Sequence, residues 1–144
     1  MRSLGLDIGG RRIGVAISDP LGLSASPLEV LQDLDPSDLR SYVEEKAHQG
    51  IGVVVVGLPL TQRGEEGKQA RSTREYAQAL QEVEAVRVVL WDERLSSVEA
   101  ARRLREAGRL RKGRKVDAEA AAVVLQAYLD SLRGGQEERG RDGG

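Results

Sequence analysis

The sequence predicts an α/β fold in which an antiparallel edge leads into buried strands that alternate with helices. Two short apolar segments near the N-terminus flank a glycine-rich turn, which is typical of an antiparallel hairpin. The later segment 51–59 is an uninterrupted β-branched run, and its lack of alternation indicates a strand covered on both faces. Segment 86–93 repeats this signature of a buried strand. Apolar residues at helical spacing separate these strands, so helices are expected between them.

The antiparallel edge is predicted to contain three strands. The first two are expected at 3–9 and 12–19, joined by a tight turn, and the third at about 26–31. Asp35 followed by Pro36 then provides a helix cap with proline at the first helical position, so the first helix begins there and ends near residue 50.

Strands and helices alternate in the remainder of the chain. Ser96 and Glu99 form a capping box for the third helix, which Gly108 ends. The other elements are expected as a strand at 51–59, a polar, mobile loop at 60–67, a helix at about 66–84, a strand at 86–93 and a helix at 116–132. A single domain over 1–133 and a disordered polar tail over 134–144 follow from this order.

Composition excludes several kinds of chemistry. The 144 residues include no cysteine, which rules out disulfides, thiolate metal sites and cysteine nucleophiles. His48 is the only histidine, so a Ser-His-Asp triad cannot be assembled, and we interpret His48 as a solvated side chain. No secretory signal or membrane-spanning run is present, and we therefore expect a cytoplasmic protein without a membrane partner.

Asp7 is the strongest candidate for a functional residue. It lies within an apolar strand, where an ionised carboxylate costs several kcal/mol unless a cation or a hydrogen-bonding partner compensates it. Gly9 and Gly10 beside it leave room for a phosphate or an ion to approach the backbone. An aspartate that merely shapes the turn is the alternative, but Asp7 precedes the turn.

A second group of charged residues, Asp92, Glu93 and Arg94, closes the last predicted strand. Ligands of open α/β sheets gather outside the carboxyl ends of parallel strands, so one of the two acids could face a site. Arg94 would then contact a phosphate or hold its neighbours in place. A structural ion pair is the alternative interpretation.

Asp117 begins the last helix, where helix capping alone would explain an aspartate. Converging carboxylates repel each other unless a divalent cation neutralises them. Mg²⁺ prefers oxygen ligands, and Mg²⁺ or Mn²⁺ chemistry at a phosphodiester needs no histidine. Separately, the bases between Arg102 and Lys115 form a stripe that could follow a phosphate backbone or could be a solvated helix face.

Four segments of the chain together resemble one family. They are DIGGRRIGVAISD, VVVVGLPLTQRGEEG, DERLSSVEAARRL and KVDAEAAAVVLQAYL, in this order between about Leu4 and Leu129. The pattern is similar to the YqgF (RuvX) family of ribonuclease-H-like proteins, which are described as pre-16S rRNA processing nucleases and as Holliday junction resolvases. The resemblance implies a mixed five-stranded sheet whose first three strands are antiparallel, with helices on both faces.

The same resemblance implies the roles of particular residues. Asp7, Glu93 and Asp117 would be the catalytic acids and the ligands of Mg²⁺ or Mn²⁺, with Glu93 chosen over Asp92. Nucleic-acid contacts are expected from seven basic residues, namely Arg11, Arg12, Arg94, Arg109, Arg111, Lys112 and Arg114. The expected function is metal-dependent hydrolysis of phosphodiester bonds, most directly in 5′-end processing of pre-16S rRNA.

The sequence is compatible with three other functions. The substrate could be a four-way DNA junction, because the same carboxylates act on the phosphate that RNA and DNA share. A non-catalytic nucleic-acid-binding module in ribosome assembly would keep the fold and the basic stripe. A phosphotransferase of the sugar-kinase type shares the first hairpin but closes two such domains around ATP, and 144 residues hold one. Ribosomal particles are a further candidate partner, and the chain could be a monomer or a homodimer.

Overall fold

A computed structural model describes residues 1–95, 108 and 117–141, and describes side chains as far as residue 133. Its elements are β1 (Arg2–Ile8), β2 (Arg12–Ser18), β3 (Ala25–Gln32), α1 (Pro36–His48), β4 (Ile51–Leu58), α2 (Lys68–Leu80), β5 (Arg87–Asp92), a 3-10 turn (Glu93–Leu95) and α3 (Asp117–Arg141).

The strands form one mixed sheet in the order β3-β2-β1-β4-β5. β1 pairs with β2 and β2 with β3 in antiparallel register, whereas β4 runs parallel to both β1 and β5. The prediction of a sheet with an antiparallel edge and parallel strands is therefore confirmed. β4 is largely buried as predicted, whereas β5 lies at the edge of the sheet and its residues are only partly buried or exposed. Because β1, β4 and β5 are parallel, their carboxyl ends meet at one edge of the sheet.

Alternate side chains of the sheet face two different helical layers. Leu4 and Leu6 of β1 belong to a core cluster that includes residues of α1 and α2. Gly5 instead lies against α3, since a Cβ on Gly5 would stand 2.8 Å from the Cβ of Leu125. Helices thus cover both faces, as predicted. Because every second residue of a strand shares a face, Asp7 lies on the α3 side of the sheet.

The start of α1 follows the cap predicted from Asp35 and Pro36. The Asp35 carboxylate accepts a hydrogen bond from the Asp38 backbone N–H at 2.8 Å, and the Asp38 carboxylate accepts one from Asp35 N–H at 3.2 Å. Both interactions satisfy N–H groups that have no partner within the helix. His48 is exposed at the other end of α1, which agrees with its interpretation as a solvated side chain.

Helix α2 is shorter than predicted at both ends. It begins at Lys68 because Glu66 is engaged in a β-bridge with Leu60, and it ends at Leu80 rather than near residue 84. The loop predicted at 60–67 forms a turn in the structure, in which the N–H groups of Thr61 and Gly64 donate to the carbonyl oxygens of Glu65 and Thr61.

Two other sequence predictions concern segments that the structure describes only in part. The predicted helix between Ser96 and Gly108 lies outside the described residues, apart from Gly108 itself, whose φ of 74° is the left-handed conformation that glycine tolerates. The backbone of α3 continues to Arg141, and the domain boundary at 133 and the disordered tail over 134–144 stay predictions. Glycine is a weak helix former but, unlike proline, it keeps the N–H that a helix needs.

The helices that the structure describes include none that is long and apolar enough to cross a membrane.

Candidate active site

Asp7 lies one residue before the end of β1, at the edge where the parallel strands end. Its side chain is half-buried and, within the described part of the chain, makes no hydrogen bond or ion pair. The strand end beside it is held in place, because the amide Nε2 of Gln69 in α2 donates to the carbonyl oxygen of Ile8 at 2.8 Å. A carboxylate that is fixed in position and lacks a protein partner is suited to bind a cation.

Asp117 is brought next to Asp7 by a glycine of the neighbouring strand. Asp7 pairs with Gly14 across β1 and β2. A Cβ on Gly14 would stand only 1.9 Å from the carbonyl oxygen of Asp117, so the first residue of α3 rests directly on β2 at this point. Opposed residues of neighbouring strands lie about 5 Å apart, and the start of α3 is therefore adjacent to Asp7.

Glu93 reaches the other side of Asp7 in a similar way. Leu6 of β1 pairs with Val56 of β4, which places Gly57 beside Asp7. A Cβ on Gly57 would lie 3.0 Å from Oε1 and 3.3 Å from Cδ of Glu93, so the Glu93 side chain packs over this glycine. The structure thus brings Asp7, Glu93 and Asp117 to one face and one edge of the sheet.

Asp92 is committed to a different interaction. Its carboxylate accepts hydrogen bonds from Nε of Arg94 at 3.0 and 3.1 Å and from Nη2 at 2.6 Å. The hydrogen bonds from Arg94 hold the pKa of Asp92 below its usual value, because they favour the ionised carboxylate. Asp92 is therefore paired with Arg94, and it is the Glu93 side chain that packs over Gly57 beside Asp7.

Two of the predicted nucleic-acid contacts, Arg11 and Arg12, lie at the turn between β1 and β2, next to the candidate site. The Arg12 guanidinium is 3.9 Å from Oδ2 of Asp117, and Nε of Arg11 donates to Asp33 at 3.2 Å. The side chain of Arg11 is 87% exposed and that of Arg12 is 67% exposed, so both remain accessible to a phosphate. The predicted contacts Arg109, Arg111, Lys112 and Arg114 lie outside the described residues.

The donor chemistry of these acids fits a divalent cation. Asp7, Glu93 and Asp117 offer only carboxylate oxygens, which Mg²⁺ and Mn²⁺ prefer, and the two glycines let Asp117 and Glu93 come close to the sheet beside Asp7. Over the residues described, no three acidic, histidine or cysteine side chains stand close enough together to hold an ion. The backbone positions therefore suit a metal site, while the side chains as they stand do not form a closed cage.

Gly14, Gly57 and Gln69 were not identified from the sequence. Each glycine interrupts a predicted strand, and glycine inside a strand often marks the close approach of another backbone or side chain. That signal could have found both glycines. Gln69 carries no comparable signal, because its role depends on a contact between residues that are far apart in the chain.

Comparisons with known proteins agree on one family. Residues 1–131 match the model of the family RuvX, described as Holliday junction resolvase. A protein of Syntrophomonas wolfei is 46% identical over 133 residues, covering 90% of this chain and 94% of its own length. A protein of Geobacillus kaustophilus is 44% identical over 141 residues, covering 92% of this chain and all of its own length. Both carry a name that describes them as candidate pre-16S rRNA nucleases.

Solved structures show the same fold at low sequence identity. Thermus thermophilus RuvC in complex with a Holliday junction substrate has a TM-score of 0.69 at 20% identity, covering 94% of this chain and 96% of that one. The fowlpox virus Holliday junction resolvase has a TM-score of 0.53 at 16% identity, covering 92% and 99%. These likenesses establish a ribonuclease-H-like fold.

Proposed function

Because this chain belongs to the RuvX family, we propose that it is an endonuclease that hydrolyses phosphodiester bonds in nucleic acid with the help of a divalent metal. The observation that carries the proposal is the convergence of Asp7, Glu93 and Asp117 at one edge of the sheet through Gly14 and Gly57. The match over residues 1–131 favours a nuclease over the phosphotransferase considered above.

In this proposal the protein supplies ligands, orientation and phosphate contacts. Asp7, Glu93 and Asp117 would hold Mg²⁺ or Mn²⁺. When bound, the ion would stabilise the negative charge that develops on the phosphate. Arg11 and Arg12, exposed at the adjacent turn, would bind neighbouring phosphates and set the position of the strand to be cut. The hydrogen bond from Gln69 to Ile8 holds the end of β1, and with it the backbone that carries Asp7.

We propose the 5′ end of pre-16S rRNA as the substrate. The proposal is supported by the names of the relatives from Syntrophomonas wolfei and Geobacillus kaustophilus. A four-way DNA junction is the second candidate, supported by the description of the family. Contact with ribosomal particles, a monomeric or homodimeric state and a cytoplasmic location stay predictions from the sequence.

A cleavage assay can distinguish these functions. A ribosomal RNA precursor and a four-way DNA junction are offered side by side, with Mg²⁺, with Mn²⁺ and with chelator, to the parent protein. We expect the precursor to be cut at least about tenfold faster than the junction and neither to be cut without metal. Preferential cutting of the junction would identify a resolvase, and binding of either substrate without cutting would identify a non-catalytic module.

Gly57→Ala tests whether Glu93 takes part. The added Cβ meets the flexible end of the Glu93 side chain, so the stability cost should stay below about 1 kcal/mol while Glu93 is displaced. We expect kcat to fall about 10- to 100-fold, because small misplacements of a catalytic group have large effects on rate. Denaturant unfolding and cleavage kinetics check both values against the parent protein. Unchanged kinetics would remove Glu93 from the site.

A further inference from the structure

Arg94 joins the end of β5 to the loop that follows β4. Nε and Nη2 of its guanidinium donate to the Asp92 carboxylate at 2.6 to 3.1 Å, and its backbone N–H donates to Asp92 Oδ1 at 2.9 Å. Nη1 points the other way and donates to the backbone carbonyl of Gln62 at 3.4 Å. One side chain therefore contacts two segments that are about 30 residues apart in the sequence.

The loop that Arg94 contacts, 60–67, is closed by its own hydrogen bonds. Thr61 N–H donates to the Glu65 carbonyl at 2.9 Å, and Glu65 N–H donates to Thr61 Oγ1 at 3.1 Å. Gly64, with φ of 81°, makes the turn, and the Arg94 guanidinium nitrogens lie 3.4 Å from the position that a Gly64 Cβ would occupy. The planar guanidinium thus fits against Gly64, which has no side chain.

A second arginine holds the far end of the same loop. Nε of Arg74 in α2 donates to both carboxylate oxygens of Glu66 at 2.7 Å, and Nη2 lies 2.6 Å from Oε2. These hydrogen bonds lower the pKa of Glu66, since they favour its ionised form. The loop is therefore attached to α2 at its end and to β5 through Arg94 in its middle.

We propose that Arg94 is a positioning residue that fixes loop 60–67 beside the candidate site, and that it is not a phosphate ligand. The inference rests on the proposed nuclease function. Its basis is that Asp92 neutralises the guanidinium and that Nε, Nη1 and Nη2 all have protein acceptors. The sequence is compatible with Arg94 either as a substrate contact or as a residue that holds its neighbours in place, and its contacts favour the second role.

The position of Arg94 links loop 60–67 to the candidate acids. Arg94 directly follows Glu93, so the loop lies next to the edge where the candidate acids converge. Arg63 at the exposed turn of the loop could meet a nucleic-acid backbone from there. Loss of Arg94 would then weaken substrate binding through the loop, while the acids that act on the phosphate stay in place.

Three variants of the full chain test the proposal: Arg94→Ala, Asp92→Asn and the double variant. Amide hydrogen exchange in the substrate-free protein should speed up about tenfold at Gly64 and Glu65 in all three, and the two single effects should not add. KM for the better substrate should rise about tenfold in each, with kcat within about twofold of the parent. Arg94→Lys should not restore KM, because an ammonium group cannot replace the planar fork of hydrogen-bond donors.

A phosphate ligand would behave differently in each measurement. Asp92→Asn would then free Arg94 and lower KM, Arg94→Lys would keep most of the binding, and exchange in the loop would not change. Any of these results would overturn the proposal. Arg87→Ala is the matched control, because it removes one exposed positive charge at the opposite end of β5 and should change neither exchange in the loop nor KM. The exchange measurement needs no activity, so it tests the role of Arg94 even if the proposed nuclease function fails.

Discussion

Asp7→Asn is expected to lower kcat for metal-dependent cleavage by at least about 10³-fold, because it replaces a charged ligand of the proposed metal with a neutral amide. The fold should remain intact. Asp7 is half-buried and its side chain makes no hydrogen bond or ion pair in the described part of the chain, so the free energy of unfolding should not fall. Removing an uncompensated carboxylate could even raise it slightly.

The measurement combines cleavage kinetics with a metal titration. Trp91 is the only tryptophan of the chain and lies two residues before Glu93, with its ring in edge-to-face contact with Tyr128 at 5.8 Å between centroids. Its fluorescence should therefore change when Mn²⁺ binds to the parent protein, and Asp7→Asn should abolish that change. Glu75→Gln, at an exposed position of α2, is the matched carboxylate-to-amide control and should behave as the parent. A variant of Asp7 that cut as fast as the parent would show that the site lies elsewhere.

Gly14→Ala is expected to reduce both stability and activity. The added Cβ would stand 1.9 Å from the carbonyl oxygen and 2.3 Å from the carbonyl carbon of Asp117, and backbone atoms cannot rotate away as a side chain can. The start of α3 must shift off β2, and we expect a cost of about 3 kcal/mol in the free energy of unfolding. Because Asp117 moves with it, kcat should fall about 100-fold even where the protein is fully folded.

Urea unfolding and single-turnover cleavage at low temperature separate these two effects. If Gly14→Ala were as stable and as active as the parent protein, the close contact between β2 and the start of α3 would not exist in solution. The proposed position of Asp117 beside Asp7 would then be wrong.

Local patterns in the sequence were sufficient for most elements of the fold. The hairpin, the capped start of α1 and the strands of 51–59 and 86–93 follow from turn residues, capping residues and hydrophobic periodicity, which act over a few neighbouring residues. The boundaries of α2 were less accurate, because Glu66 is taken up by a bridge to Leu60 and by Arg74 rather than by the helix. Such competition between contacts is not visible in a local pattern.

The candidate site, like the fold, could be predicted from the sequence only in part. By itself the sequence excluded cysteine chemistry and a Ser-His-Asp triad, because it has one histidine and no cysteine, and it singled out Asp7 as a charge in an apolar strand. Only the tertiary structure decided which acids lie near Asp7, through the contacts of Gly14 with Asp117 and of Gly57 with Glu93, and which acid is already paired with Arg94. The physical reason is that residue type and local spacing fix hydrogen bonds and burial within one element, whereas proximity between residues a hundred positions apart is set by strand register and helix packing.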